Sequence, residues 1–235
     1  MIPKKIHYCW FGNQEKDKLI RTCLDTWKEK LPGYEIIEWN EKNYPIENSS
    51  LYVQNMYKKK RWAFVSDYAR LDILYTHGGI YLDTDMYVLQ SLDVFLKNTC
   101  FLGKESAEYI NAAIMGSVPY DPFIKKCKEI YDNTVDIFKP IPTIITDLYN
   151  KKDNTFDTVT LYETSFFYPF SAKNISRFDP THPPKDAYTV HMWNYSWGNH
   201  YNRFLIRIGL HDRIIMILDF LGIKNVMKKL FNIAH

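Results

Sequence analysis

Cysteine is scarce in this chain of 235 residues: Cys9, Cys23, Cys100 and Cys127 are the only four. None forms a C-x-x-C pair, so a zinc site is not expected. Nor do they outline a disulfide framework, and a reducing compartment fits. Long apolar runs are missing too. The longest, IIMILDFLGI at 214–223, is about half the ~20 residues of a membrane span, and Asp219 breaks it. The opening MIPKKIHYCWFG is basic but has no apolar core, so no secretory leader is expected. Charge of one sign is lacking as well: the net +3 is too small to argue for nucleic acid binding. The sequence has no internal repeat and no low-complexity stretch.

What remains is an ordinary globular composition, 46% apolar and 24% charged. Its length permits a single domain with a sizeable core, or one domain with an appendage. Aromatics are abundant at 16%, with 18 Tyr and 6 Trp. Most of them are expected in the core, with some left to line a sugar or base cleft. The positive charge gathers at the end. Residues 201–235 hold Arg203, Arg207, Arg213, Lys224, Lys228 and Lys229 against Asp212 and Asp219, a balance of +4 that leaves the first 200 residues at −1. The expected division is therefore a domain over 1–200 and a basic amphipathic helical tail over 201–235. Such a tail either packs on the domain or lies on anionic lipid.

The order of elements is that of an α/β protein with a mostly parallel sheet. KIHYCWF reads as a strand closing at Gly12-Asn13, residues 15–30 as a helix, and 34–39 as a second strand. A helix is expected over 51–60, then another with Ser66 as N-cap and Gly78 as its stop. A strand over 79–83 follows, then a short strand at 100–103, a strand or buried turn at 109–116, and a helix over 121–133. Irregular structure is expected from 140 to 200, and two amphipathic helices from 203 onward. In such sheets ligands bind at the carboxyl ends of the strands, where Trp10 and Asp83 fall.

The stretch SDYARLDILYTHGGIYLDTD (66–85) concentrates the chemistry. On a strand, Tyr81, Asp83 and Asp85 share a face. Two adjacent carboxylates repel unless a cation lies between or beside them, and hard oxygen ligands suit Mg²⁺ or Mn²⁺. Their Cα separation of roughly 6.8 Å also falls in the range of an inverting glycoside hydrolase, although side-by-side projection suits a metal clamp better. A calcium loop is excluded, because its sixth and twelfth positions would be Val88 and Val94 rather than Gly and Glu. Asp67 and Arg70, three apart on the preceding helix, share a face. They form either a surface ion pair of little worth or, because this otherwise apolar helix leads straight into the carboxylate strand, a pair whose Asp holds sugar hydroxyls while its Arg neutralises developing charge.

The pattern S-D-x-x-R-x-x-x-L-x-x-x-G-G-x-Y-x-D-x-D resembles the signature of the DXD-containing glycosyltransferase family. That family includes yeast initiating α-1,6-mannosyltransferases, bacterial capsule and lipopolysaccharide sugar transferases and clostridial toxin glucosyltransferase domains. IPKKIHYCWFG (2–12), INAAIMGS (110–117) and HMWNYSW (191–197) resemble further family segments. The family's T-G-P motif has no counterpart, since IPTIIT (141–146) stands where it would fall, and the acceptor side stays blank.

The resemblance implies a GT-A-like fold and a metal-dependent, retaining hexosyltransferase. Asp83, Asp85 and His191 would hold Mn²⁺ or Mg²⁺. Trp10 would stack on the base of a UDP- or GDP-hexose. Asp67 and Arg70 would orient the hexose, with Tyr81 and Asn111 near the ribose or sugar, and Ser196 and Trp197 would close over the diphosphate. The acceptor would be a surface polysaccharide or a lipid-linked oligosaccharide, and the expected location cytoplasmic, peripheral to the membrane through 203–235. A transferase acting on protein side chains and a non-enzymatic sugar-nucleotide-binding module are the alternatives.

Overall fold

The computed structural model describes residues 1–134, 139–151 and 156–194. Its centre is a six-stranded sheet in the order β2-β1-β3-β6-β5-β7. The strands are β1 (Lys5–Cys9), β2 (Glu35–Trp39), β3 (Gly79–Leu82), β5 (Cys100–Lys104), β6 (Ile110–Ser117) and β7 (Val159–Tyr162). Only β6 runs against the other five, so the sheet is mostly parallel, as expected. A separate ribbon pairs β4 (Met86–Val88) with β8 (Thr189–His191). The helices are α1 (Lys18–Lys30), α2 (Leu51–Lys58), α3 (Trp62–His77), α4 (Pro122–Asp132), α5 (Ile141–Asn150) and the short α6 (Thr164–Phe167). No helix among the described residues is long and apolar enough to cross a membrane.

Alternation along the strands builds two apolar layers. Cys9, Tyr81, Leu102 and Met115 face α2, α3, α4 and α5, while Ile6, Ile80, Leu82 and Ile114 face α1 and the aromatic group around Phe95 and Phe167. Asp17 caps α1 by accepting the Ile20 N–H at 2.9 Å. The four cysteines are buried and free. Helix α3 corrects one expectation. It starts at Trp62, with Arg61 at the N-cap and no side-chain cap bond, so Ser66 lies inside it rather than at its head. Burial of Phe64 and Val65 sets the start, overriding the local capping preference. The 140–200 region is also more regular than expected, holding α5, β7, α6 and β8.

The joint between α3 and β3 sets the direction in which β3 leaves the helix. Gly78 sits at φ +61° and ψ −168°, a region essentially open only to glycine. A Cβ there would lie 2.6 Å from Pro119 Cδ and 2.8 Å from Pro119 N. Gly78→Ala is expected to lower stability by about 1–3 kcal/mol. In urea this should read as a lower midpoint with an unchanged m-value, and an unchanged midpoint would refute the strain at the joint.

His7 braces the same joint from β1. Trp39 Nε1 donates to His7 Nδ1 at 3.1 Å, so Nε2 carries the proton and donates to Gly78 O at 2.9 Å. Burial pushes the His7 imidazole down from 6.5 to about 4, with nearby His77 and Lys5 adding to the fall and the Gly78 bond opposing it. Between these values the unfolded chain binds a proton that the folded chain refuses. Stability present at pH 7 is therefore lost as pH falls through about 6.5 toward 4. The loss from this group at pH 5 is about 2 kcal/mol. Urea unfolding at pH 7 and pH 5 should show this drop in the wild type and a shallower one in His7→Gln; equal drops would refute it.

Candidate active site at the turn after β3

Helix α3 carries Asp67 and Arg70 on the face turned toward the end of β3. Arg70 is 5% exposed and makes four polar contacts. Its Nη2 donates to Asp67 Oδ1 at 3.1 Å, Nη1 donates to Ala112 O at 2.8 Å, and Nε donates to Ser66 O at 3.3 Å. Nη1 also lies 3.3 Å from Asp83 Oδ1. The guanidinium covers the Tyr81 ring, 4.6 Å from its centroid. Burial works against the Arg70 charge, but Asp83, Tyr81 and Asp67 outweigh it and raise its pKa above the ordinary value. This is a buried bridge between two carboxylates rather than a surface ion pair. Burial also pushes Asp67 up to about 6, with Arg70 pulling down and Asp83 pushing up. The first N–H of α5, on Ile141, lies 3.4 Å from Asp67 Oδ2.

The two carboxylates after β3 do not sit on one strand. β3 ends at Leu82, and Asp83–Asp85 form a turn closed by the Met86 N–H donating to Asp83 O at 3.0 Å. Asp83 keeps the face expected of it: Tyr81 Oη donates to Asp83 Oδ1 at 3.2 Å. Asp85 is carried round to the head of β4, where Met86 pairs with His191 of β8. This brings His191 Nε2 to 3.3 Å from Asp85 Oδ1. Asp85 Oδ2 accepts the Asn194 N–H at 2.8 Å, and the Asn194 side chain donates to Asp17 at 2.9 Å. Burial would lift the Asp85 carboxyl, but His191 and the Asn194 amide hold it below the ordinary range. For His191 burial lowers the pKa, and Asp85 more than restores it, so the net shift is upward.

Asp83, Asp85 and His191 each offer a ligand atom, and these atoms lie within 4.8 Å of one another. Among the described residues His191 Nδ1 is buried without a hydrogen-bond partner, so the ring's environment is not closed by these residues alone. Two carboxylates and an imidazole form a donor set natural to Mn²⁺ and tolerable for Mg²⁺. The residues therefore fit a divalent cation.

The other expected site residues fall into three groups. Trp10 follows β1 and stays partly exposed; its Nε1 donates to Gln14 O at 2.7 Å, and Lys16 Nζ lies 5.1 Å from its ring centroid. Tyr81 and Asn111 are buried, with their polar atoms on neighbouring residues. Tyr81 is 1% exposed with its hydroxyl on Asp83. Asn111, 7% exposed, donates from Nδ2 to Glu105 at 2.6 Å and accepts the Ala113 N–H at 2.7 Å. Ser196, Trp197 and the 201–235 tail lie outside the described residues. Sequence reasoning passed over Glu105, Asn194 and the head of α5. Of these only Asn194 carried a signal, its place three residues after His191.

Residues 17–102 match the family described as glycosyltransferase sugar-binding region containing DXD motif. The chain is 29% identical over 136 residues to inositol phosphoceramide mannosyltransferase 3 of Schizosaccharomyces pombe, covering 52% of this chain and 35% of that one. It is 27% identical over 217 residues to an uncharacterised glycosyltransferase of Acanthamoeba polyphaga mimivirus, covering 85% of each. It spans about half or less of several other curated relatives, among them alpha-1,4-N-acetylglucosaminyltransferase of Homo sapiens at 48%. Among solved structures its fold is similar to that of the PaToxG glycosyltransferase, with a TM-score of 0.54 at 17% identity over 66% of this chain and 72% of that one. The fold is GT-A-like.

Proposed function

We propose that this chain, which carries the DXD-containing glycosyltransferase sugar-binding region, is a metal-dependent, retaining hexosyltransferase using a UDP- or GDP-hexose. The observation that carries this reading is the convergence of Asp83, Asp85 and His191 within 4.8 Å, beside an Arg70 bound to both Asp67 and Asp83. Asp83, Asp85 and His191 would hold the cation. When bound, it supplies Lewis acidity that offsets charge growing on the departing diphosphate.

Arg70 and Tyr81 fix the Asp83 carboxylate from behind, so its direction needs no reorganisation during the reaction. Asp67, whose side chain beside Arg70 is 11% exposed, would accept hydroxyls of the hexose. Trp10 offers a ring face for the base, while Ser196 and Trp197, for which the family likeness implies a role over the diphosphate, lie outside the described residues. Retention is the outcome that the family likeness implies. Asp67 is poorly suited as a nucleophile, because Arg70 binds its carboxylate. Departure and attack on the same face of the hexose is the simpler course.

For the acceptor we favour a surface polysaccharide or a lipid-linked oligosaccharide. The yeast relative is named for a phosphoceramide acceptor, and the basic 203–235 segment would hold the chain against an anionic membrane on its cytoplasmic side. A protein acceptor is the alternative. The test is release of nucleoside diphosphate from a panel of UDP- and GDP-hexoses, with and without Mn²⁺, alongside thermal shifts with the same ligands. Mn²⁺-dependent hydrolysis of one donor is expected, with the anomer of the released sugar read by NMR. Binding without turnover would leave a sugar-nucleotide-binding module, and neither binding nor turnover would sink the reading.

A further inference from the structure

The β5–β6 hairpin is irregular where it meets the site. Leu102 pairs with Met115, but the next residue, Gly103, pairs with Asn111, so Ala112, Ala113 and Ile114 have no partner on β5. Their backbone serves the site instead. Ala112 O accepts from Arg70 at 2.8 Å, and Ala113 O accepts the Asp83 N–H at 2.8 Å. Ile114 N–H donates to Tyr168 Oη at 3.1 Å. Asn111 begins this bulge, with its carbonyl held by Ala113 N–H and its amino group on Glu105 Oε2. An asparagine so held is a bracket for Glu105.

Glu105 itself is half-buried, and among the described residues it has no ion pair. The neighbouring Lys104 turns to Glu163 at 2.6 Å. Asn111 occupies one Glu105 oxygen and leaves the other without a hydrogen bond among the described residues. Through Asn111, Glu105 is tied to the bulge whose Ala113 O holds the Asp83 backbone, and the Tyr168 that receives the Ile114 N–H has its ring centroid 6.0 Å from that of His191. A half-buried carboxylate with a spare oxygen, locked by a neighbouring amide, is built to accept a hydroxyl.

We propose that Glu105 is a specificity-determining residue that accepts a ring hydroxyl of the transferred hexose, with Asn111 as the residue that positions it. The inference rests on the hexosyltransferase reading and assigns the sugar-recognising group within it. The donor sugar is preferred over the acceptor because the bulge that Asn111 begins is bonded, through Ala112 O and Ala113 O, to Arg70 and to the Asp83 N–H, both at the donor end of the site.

The test compares wild type, Glu105→Ala, Glu105→Gln, Asn111→Ala and the Glu105→Ala/Asn111→Ala double variant. The probes are UDP-glucose, UDP-galactose, UDP-N-acetylglucosamine and GDP-mannose with Mn²⁺. Hydrolysis without acceptor gives kcat and KM for each donor, and thermal shift with Mn²⁺ and UDP or GDP reports fold and nucleotide binding. Loss of Glu105 is expected to cut the preference between the best donor and its hydroxyl epimer by roughly 10–100-fold, with the nucleotide-induced thermal shift retained. Asn111→Ala should reproduce that loss, the double variant should add little to it, and Glu105→Gln should restore part of it. An unchanged donor preference in Glu105→Ala, with the nucleotide-induced thermal shift retained, overturns the assignment. A wild type that binds no donor and turns none over overturns the hexosyltransferase reading as well, so the two failures are distinct.

Discussion

Asp85→Asn is expected to lower kcat/KM by on the order of 10³-fold, a loss of about 4 kcal/mol in transition-state stabilisation. Asparagine keeps the shape of the side chain and can still accept the Asn194 N–H that Asp85 receives at 2.8 Å. The fold should therefore persist while the charge that faces His191 is removed. Two measurements check this together. Thermal denaturation without ligand should stay near the wild-type midpoint, and the added stabilisation by Mn²⁺ with nucleoside diphosphate should vanish. Wild-type turnover in this variant would remove Asp85 from the site. A collapse of the ligand-free midpoint would instead make the Asp85–His191 contact structural.

Arg70→Met should show the opposite balance, with stability falling together with activity. Methionine fills much of the same volume but leaves Asp67 and Asp83 without their shared cation and Ala112 O without its donor. Removing one member of a buried pair costs about 3–5 kcal/mol. For a chain of this size that is a fall in Tm on the order of 10 °C. Arg70→Lys should recover only part of the loss, since one ammonium cannot span the two carboxylates and the carbonyl at once. A Tm unchanged in Arg70→Met would mean that the bridge contributes no stability. The double variant Arg70→Met/Asp67→Asn should be more stable than Arg70→Met alone, because one of the stranded charges is gone.

Much of this site was legible in the sequence where chemistry and local pattern agreed. The strand after Gly78-Gly79 and the shared face of Tyr81 and Asp83 follow from period-two alternation. The pairing of Asp67 with Arg70 follows from helical spacing. Elsewhere tertiary packing overrode the local signal. Ser66 looked like a cap, yet buried apolar residues begin the helix a turn earlier. Asp85 looked like a strand residue, yet the turn after Leu82 hands it to a second ribbon. Helix α5 carries one start signal, Pro142 in its first turn, but it has no side-chain cap, and Pro140 and Pro142 together also read as irregular chain. Glu105 gave no signal, because its contact with Asn111 depends on a bulge that the period-two pattern does not encode.

The β4–β8 ribbon bears on when in its life the protein becomes competent. Asp85 meets Asn194 across 109 positions, and Asn194 meets Asp17 across 177. A chain still on the ribosome, with its first 150 residues emerged, already contains Asp67, Arg70, Asp83 and Asp85. It does not yet contain His191 or the Asn194 that clasps Asp85 to the head of α1. The carboxylates are thus made early and their third partner late, so under the proposed function donor chemistry would wait until synthesis has delivered almost the whole described chain.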